Sequence, residues 1–198
     1  MHTELTTLTG SKSKADEILL LMNDIKKVVR QAYFEYEIES IQNFCTKHNL
    51  YLTTSKFKVI YQEEVGTFSN LGIRVPLHNQ KEGMIHVYIS KDEASAHLAH
   101  YFELINDDVS LGGLLGYPEC CVAYFISIFS KDMPNPVHEK SNPLINLNQR
   151  NHDAVLISHF PCKNDCEKSI IIAKRNLQFL ETYYPGRAFE ITNLLKLK

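Results

Sequence analysis

Four of the five cysteines stand in two tight pairs, Cys120–Cys121 and Cys162–Cys166, separated by about forty residues of chain. Both pairs have similar surroundings: Gly116-Tyr117-Pro118-Glu119-Cys120-Cys121 in one case, His159-Phe160-Pro161-Cys162-Lys163-Asn164-Asp165-Cys166 in the other. In each, an aromatic residue and a proline precede the cysteines, which fall at the expected start of a helix. Unpaired N–H groups and the positive end of the helix dipole favour anions there, so a thiol ionises more easily and gains hydrogen bonds to sulfur. Two such starts facing each other would gather thiolates that otherwise repel, and a bound cation would supply the remaining compensation. The fold expected of this chain is therefore one that brings two distant stretches of backbone to a common centre.

Bulk properties narrow the setting. The cysteine count is odd, and a disulfide framework is a device of oxidising compartments. The first residues, MHTELTTLTGSKSK, lack an apolar signal core behind a basic start, so a cytoplasmic protein is expected. No run approaches the roughly 20 apolar residues of a membrane helix. With a net charge of -2, no global field recruits nucleic acid or an anionic membrane. A chain of 198 residues that is 44% hydrophobic can bury a real core. No boundary is convincing enough to split it, so residues 1–198 are expected to form a single domain, with 1–14 a loose Thr/Ser/Lys-rich leader.

Hydropathy patterning predicts an α+β fold: a small, mainly antiparallel sheet packed by helices, with a helical N-terminal region. From Ala15 to His48 apolar residues recur at helical spacing, from Ile18, Met22, Ile25 and Val29 to Phe34, Ile38, Ile41 and Cys45. One long helix or two consecutive ones are expected, with Cys45 a core thiol on the apolar stripe. Alternation at Lys56–Gln62 and Gly83–Ile89, with a short apolar run at Leu71–Val75, predicts strands; Gly66, Asn70–Gly72 and Lys81–Gly83 mark turns. A capping box of Ser90 and Glu93 should open a helix to about Asn106. Ser110–Gly116 reads as a glycine-punctuated link without a phosphate-loop pattern, Pro118–Ser130 as a helix, residues 131–152 as loop, and Ala154–Ser158 as a buried strand. A last helix runs from Asp165 to Tyr184 and stops at Pro185–Gly186.

The choice of metal turns on the adjacent pair. Zinc tetrahedra are usually built from cysteines two to four residues apart, which suits Cys162 and Cys166. Neighbouring side chains on a helix diverge by about 100°, which makes Cys120–Cys121 an unusual zinc knuckle. A bulkier iron–sulfur cluster offers separated irons to diverging thiolates, and four cysteines complete its ligation. The cysteine-site region, residues 110–184, is therefore read as holding an iron–sulfur cluster, four-iron four-sulfide first, with zinc as the second choice.

GYPECC before an aliphatic–aromatic stretch, followed by SHFPCKNDCEKS before a helix, resembles the family designated domain of unknown function 483 over about residues 110–180. The resemblance implies that Cys120, Cys121, Cys162, Cys166, His159 and Ser169 belong together; it carries no activity. Lys163 departs from it, standing where a small polar residue is expected.

Other residues admit plain structural roles beside functional ones. His159 could be a ligand, a general acid/base or a donor to a thiolate, or simply a buried histidine satisfied by backbone. Glu93, His97 and His100 share one helix face, but HxxH spacing is common and reads as a solvated face. Arg150, His152 and Asp153 are expected in a solvated loop, Glu119 is a first-turn acid favoured by the dipole, and Tyr117 and Phe160 are expected to wall the site from water. Three functions stay open. The first is an iron–sulfur (or metal) protein using the four cysteines, with redox or sulfur-transfer chemistry as the enzymatic form and His159 as its catalytic proton carrier. The second is a metal-free thiol enzyme with Cys121 or Cys162 as nucleophile and His159 as base. The third is a non-catalytic interaction module stapled by zinc. A small-molecule substrate or a redox partner fits the first, and its identity is not legible.

Overall fold

The computed structural model describes residues 1–61, 72–130, 133 and 135–197. Gln62, Gly66, Asn70, Leu71, Lys131, Asp132 and Pro134, named in the reading of strands, turns and loops, lie outside the described residues. The architecture is α+β, as the patterning predicts. Two compact units share the chain: Met1–Leu20, Tyr117–Ile128 and Pro136–Lys198 form one, Leu21–Gly116 and Phe129–Asn135 the other.

The second unit carries an antiparallel sheet in the order β1-β4-β2-β3, built from β1 (Val28–Phe34), β2 (Tyr51–Tyr61), β3 (Gly72–Pro76) and β4 (Met84–Ser90). Central β4 is buried along its length from Ile85 to Ser90, and Val87, Tyr88 and Ile89 are fully buried. Its register against β2 shifts between Thr54 and Lys58, a bulge that takes a carbonyl away from the β4 ladder. Ser55 repairs the loss, its Oγ accepting the His86 N–H at 3.1 Å. At Gly83 a Cβ would lie 2.9 Å from the Val59 carbonyl oxygen, so only glycine lets the chain pass β2 this closely. Helices α3 (Glu35–Lys47) and α4 (Glu93–Leu104) pack on the sheet, and α5 (Asp108–Leu114) packs on α4.

A polar cluster sits inside this unit. Glu103 of α4, 2% exposed, accepts hydrogen bonds from Arg30 Nη2 at 2.6 Å, Arg74 Nη2 at 3.1 Å and the Tyr88 hydroxyl at 2.8 Å. His86 Nδ1 lies 3.0 Å from the same carboxylate. Burial opposes ionisation of Glu103, but the Arg30 charge and the hydrogen bonds from Arg30 and His86 hold its carboxyl far below the usual range. His86 is pushed down by burial and by Arg30.

The first unit is helical: α1 (His2–Thr9), most of α2 (Lys12–Met22), α6 (Glu119–Ile128), α7 (Glu167–Tyr183) and α8 (Pro185–Leu194), with 3-10 turns at Pro143–Ile145 and Leu147–His152. Asp153, in the left-handed region at φ 53°, accepts from the Lys12 and Ser13 N–H groups at 3.1 and 3.2 Å and from the Ser11 hydroxyl at 2.6 Å. It thus caps α2 from a distance of some 140 residues of sequence. Arg187, 5% exposed, donates to Asp16 Oδ2 through Nε at 3.0 Å and Nη2 at 2.8 Å.

Several local expectations differ from the structure for identifiable reasons. Residues 2–9 are helical with Leu5 and Thr9 buried, where a loose leader was expected. The stripe running from Ile18 to Cys45 is interrupted by β1: α2 ends at Met22, Asp24 takes φ 61°, and β-branched Val28 and Val29 enter the sheet beside β4. Ser90 does not cap α4. Its hydroxyl donates to the Lys27 carbonyl and accepts the Asp92 N–H, leaving Asp92 as the cap that accepts from Ser95 N at 3.0 Å. The glycine-rich link is α5, capped by Asp107, and Gly116 at φ 76° ends it. Ala154–Ser158 forms no strand and bends at Leu156 and Ser158; the Leu156 carbonyl is satisfied by the Asn176 side chain at 2.8 Å. Pro185 opens α8 rather than ending the chain's helical structure, in keeping with proline's fitness for a first turn.

Candidate metal centre

Both cysteine pairs are set by backbone turns at helix starts. The Pro118 carbonyl accepts from the N–H groups of Cys121 and Val122 at 2.8 and 3.0 Å, which winds the first turn of α6 directly under the adjacent cysteines. On the other side, the Cys166 N–H bonds the Lys163 carbonyl at 3.3 Å, closing the turn that carries Cys162, and the Cys166 carbonyl begins α7 by accepting from Ile170 N at 2.9 Å. The two segments meet. The sulfurs of Cys120, Cys121, Cys162 and Cys166 all lie within 4.8 Å of one another. Cys120 and Cys121 Sγ are 3.9 Å apart, Cys120 and Cys166 3.9 Å, and Cys121 and Cys166 3.6 Å. Cys121 and Cys166 are each 2% exposed, whereas Cys120 and Cys162 are half-buried.

Four sulfurs this close cannot all carry charge unaided. Burial opposes ionisation of Cys166, yet hydrogen bonds from the Ser169 hydroxyl and N–H and from the Cys121 and Cys162 thiols bring it down to about 7. Cys162 is pushed up to about 11, by burial first and then by Cys120 and Cys166. Burial pushes Cys121 up further still, against hydrogen bonds from Ser169 and from the Cys162 N–H. One thiolate forms readily and its neighbours resist, because a second negative charge under 4 Å away is unfavourable in a partly buried setting. A cation removes that conflict, and these four residues could hold a metal ion.

Around the sulfurs lies a second layer. Ser169 Oγ, fully buried in the first turn of α7, is 3.3 Å from Cys121 Sγ and 2.8 Å from His159 Nε2. His159, 5% exposed, packs against Tyr117 with ring centroids 5.1 Å apart. The stacked rings of Phe125 and Phe160, at 5.8 Å, lie beside the second turn with Arg150 over Phe160 at 5.6 Å, and His138 Nε2 reaches the Pro161 carbonyl at 3.0 Å. Lys163 pairs with Asp165 at 3.5 Å, both side chains well exposed, so its departure from the expected small residue is a surface matter.

The other candidates fall elsewhere. Glu93 and His97 are exposed and 4.0 Å apart. Among the described residues the four cysteines alone form a cluster suited to a metal, so the Glu93–His97–His100 face is not one. Cys45 is fully buried in α3, and burial pushes its thiol up to about 12. Asp153 serves α2 as described, His152 and Glu119 are exposed, and Arg150 packs on the Phe160 ring rather than standing free in a solvated loop. Sequence reasoning missed the Glu103 cluster, because Arg30 and His86 lie in strands far apart in the chain and carry no local signature.

A family model described as "Protein of unknown function (DUF483)" matches residues 93–196. The chain belongs to DUF483. The match takes in all four cysteines, His159 and Ser169, and extends beyond the stretch whose motifs resemble the family, from α4 through α8. Beyond DUF483, no curated protein and no solved structure matches this chain. No helix among the described residues is long and apolar enough to cross a membrane.

Proposed function

We propose that this protein binds one tetrahedral metal ion, zinc in first place, through Cys120, Cys121, Cys162 and Cys166, and that this ion clasps the start of α6 to the turn before α7. Sulfur spacing carries the reading. Zinc–sulfur bonds of about 2.3 Å in a tetrahedron put sulfurs roughly 3.8 Å apart. The three closest pairs stand at 3.6, 3.9 and 3.9 Å. A cluster interposes several irons and sulfides between its thiolates and needs a wider cage. Adjacent cysteines on a helix need not diverge here, since the sulfurs of Cys120 and Cys121 stand 3.9 Å apart.

A closed set of four thiolates fits a structural rather than a catalytic site, since catalytic zinc keeps an open position. When bound, the ion supplies the positive charge that lets all four thiols ionise. Ser169 then donates its hydroxyl to Cys121 and accepts from His159 Nε2–H, which makes His159 a positioning residue rather than a base. Free thiols in this arrangement suit a reducing compartment such as the cytoplasm. Metal and acid-labile sulfide analysis of anaerobically purified protein tests the reading. One zinc per chain without sulfide is expected, falling to a small fraction in Cys166→Ser; several irons with matching sulfide, or metal content unchanged in Cys166→Ser, overturns it.

A further inference from the structure

The four sulfurs are unequal in a way a purely structural clasp does not require. Cys120 and Cys162 are half-buried and open to small solutes, while Cys121 and Cys166 are 2% exposed. Cys120 Sγ lies 3.9 Å from Cys166 Sγ, on the opposite segment. Its own neighbour Cys121 is a poor disulfide partner despite the same 3.9 Å separation: a bond between adjacent residues closes a small strained ring that a helical turn does not accommodate. An accessible thiolate beside a shielded one on another segment is the arrangement of an attacking and a resolving cysteine.

Resting on the single-ion reading, we propose that the site is a peroxide-responsive clasp in which Cys120 is oxidised first and Cys166 resolves it, so that a Cys120–Cys166 disulfide replaces the bound ion. The Cys120 thiolate attacks the outer oxygen of a hydroperoxide; the O–O bond breaks, the alcohol or water leaves with a proton, and Cys120 becomes a sulfenic acid. The Cys166 thiolate then attacks the Cys120 sulfur; an S–S bond forms, the S–OH bond breaks, and water leaves with a second proton. Two thiolates, one hydroperoxide and two protons thus give one disulfide, one alcohol (or water) and one water. Two thiolates remain, too few to retain zinc tightly. The crosslink still joins the two segments that the ion had joined, so α6 and α7 stay tethered in the oxidised form. Cys45, fully buried, takes no part.

The test uses zinc-loaded full-length protein whose one-to-one zinc content has been verified beforehand, so that failure of the metal reading is recognised before peroxide is added. Hydrogen peroxide is titrated in while a chromophoric chelator reports zinc, and the products are digested with trypsin and mapped by fragmentation mass spectrometry. Cleavage after Lys91, Lys131, Arg150, Lys163 and Lys168 places Cys120, Cys162 and Cys166 on three different peptides, so the links are distinguishable. The expected result is one zinc released per disulfide, the link joining Cys120 to Cys166, with dithiothreitol and zinc restoring the starting state. Release without a disulfide, a first link that omits Cys120 or Cys166, or retention of zinc by protein whose thiols have been oxidised would each overturn the proposal.

Discussion

Replacing Ser169 by alanine tests whether the layer behind the sulfurs tunes the site. The Ser169 hydroxyl is fully buried and is shared between Cys121 Sγ at 3.3 Å and His159 Nε2 at 2.8 Å. Its bond to sulfur is charge-assisted once the thiolate forms, and a hydrogen bond to a charged group contributes about 1.5–3 kcal/mol. Since 1.4 kcal/mol is tenfold in an equilibrium constant, zinc affinity should fall by roughly 10- to 100-fold, which is also the usual effect of removing an outer-layer partner of a metal ligand. A second effect is independent of metal: His159 Nε2 loses this buried partner, at a cost of about 1–3 kcal/mol to the apo fold. Chelator competition measures the first and urea unfolding of metal-free protein the second. Ser169→Thr, which keeps the hydroxyl, should recover much of the affinity even if its extra methyl strains the core. An affinity change below about threefold in Ser169→Ala would refute the idea that this hydroxyl tunes the thiolates.

Other outcomes follow from the remaining buried groups. Glu103→Ala removes the acceptor for Arg30, Arg74, His86 and Tyr88, and urea unfolding should show a loss of about 3–5 kcal/mol; a loss under about 1 kcal/mol would mean the cluster is solvated and weak. Both Glu103 and His86 titrate below their unfolded values, so the stability they supply is complete at neutral pH and is lost as pH falls, through His86 below about 6.5 and Glu103 below about 4.5. Urea midpoints should therefore decline from pH 7 downward, and below about pH 4.5 decline less steeply in Glu103→Gln, which has no carboxyl to protonate there; equal slopes below that pH would contradict the assignment. Cys45, buried and pushed up to about 12, should resist iodoacetamide in folded apo protein while Cys120 and Cys162 are modified. Modification of Cys45 at a rate matching Cys120 would show that α3 opens readily.

The centre was legible because its signal is local and repeated. Proline and an aromatic before cysteines at a helix start state both the backbone geometry and the chemistry within six or eight residues, and the two copies implied each other. Which metal such a site would take was less so. Whether adjacent side chains on a turn converge depends on χ angles and on the partner segment, and the inference from a regular helix spread Cys120 and Cys121 apart when their sulfurs meet at 3.9 Å. Strand β1 was hidden for a similar reason. Its apolar residues continue the spacing of α2, and only pairing with β4, about fifty-five residues later, makes Val28–Phe34 a strand. The Glu103 and Arg187 clusters depend on contacts between residues far apart in the chain, to which periodicity is blind. Conversely, β4, α4, α6 and α7 each carry their own alternation, apolar stripe or first-turn proline and appear close to their expected bounds, while β2 begins at Tyr51, five residues before the alternation at Lys56 that marks it.

X-ray absorption at the metal edge of the purified protein addresses the coordination itself. About four sulfur neighbours in one shell at roughly 2.3 Å, with nothing heavier beyond it, are expected. A second metal in the scattering, or a first shell dominated by nitrogen or oxygen, would contradict a single ion held by four thiolates.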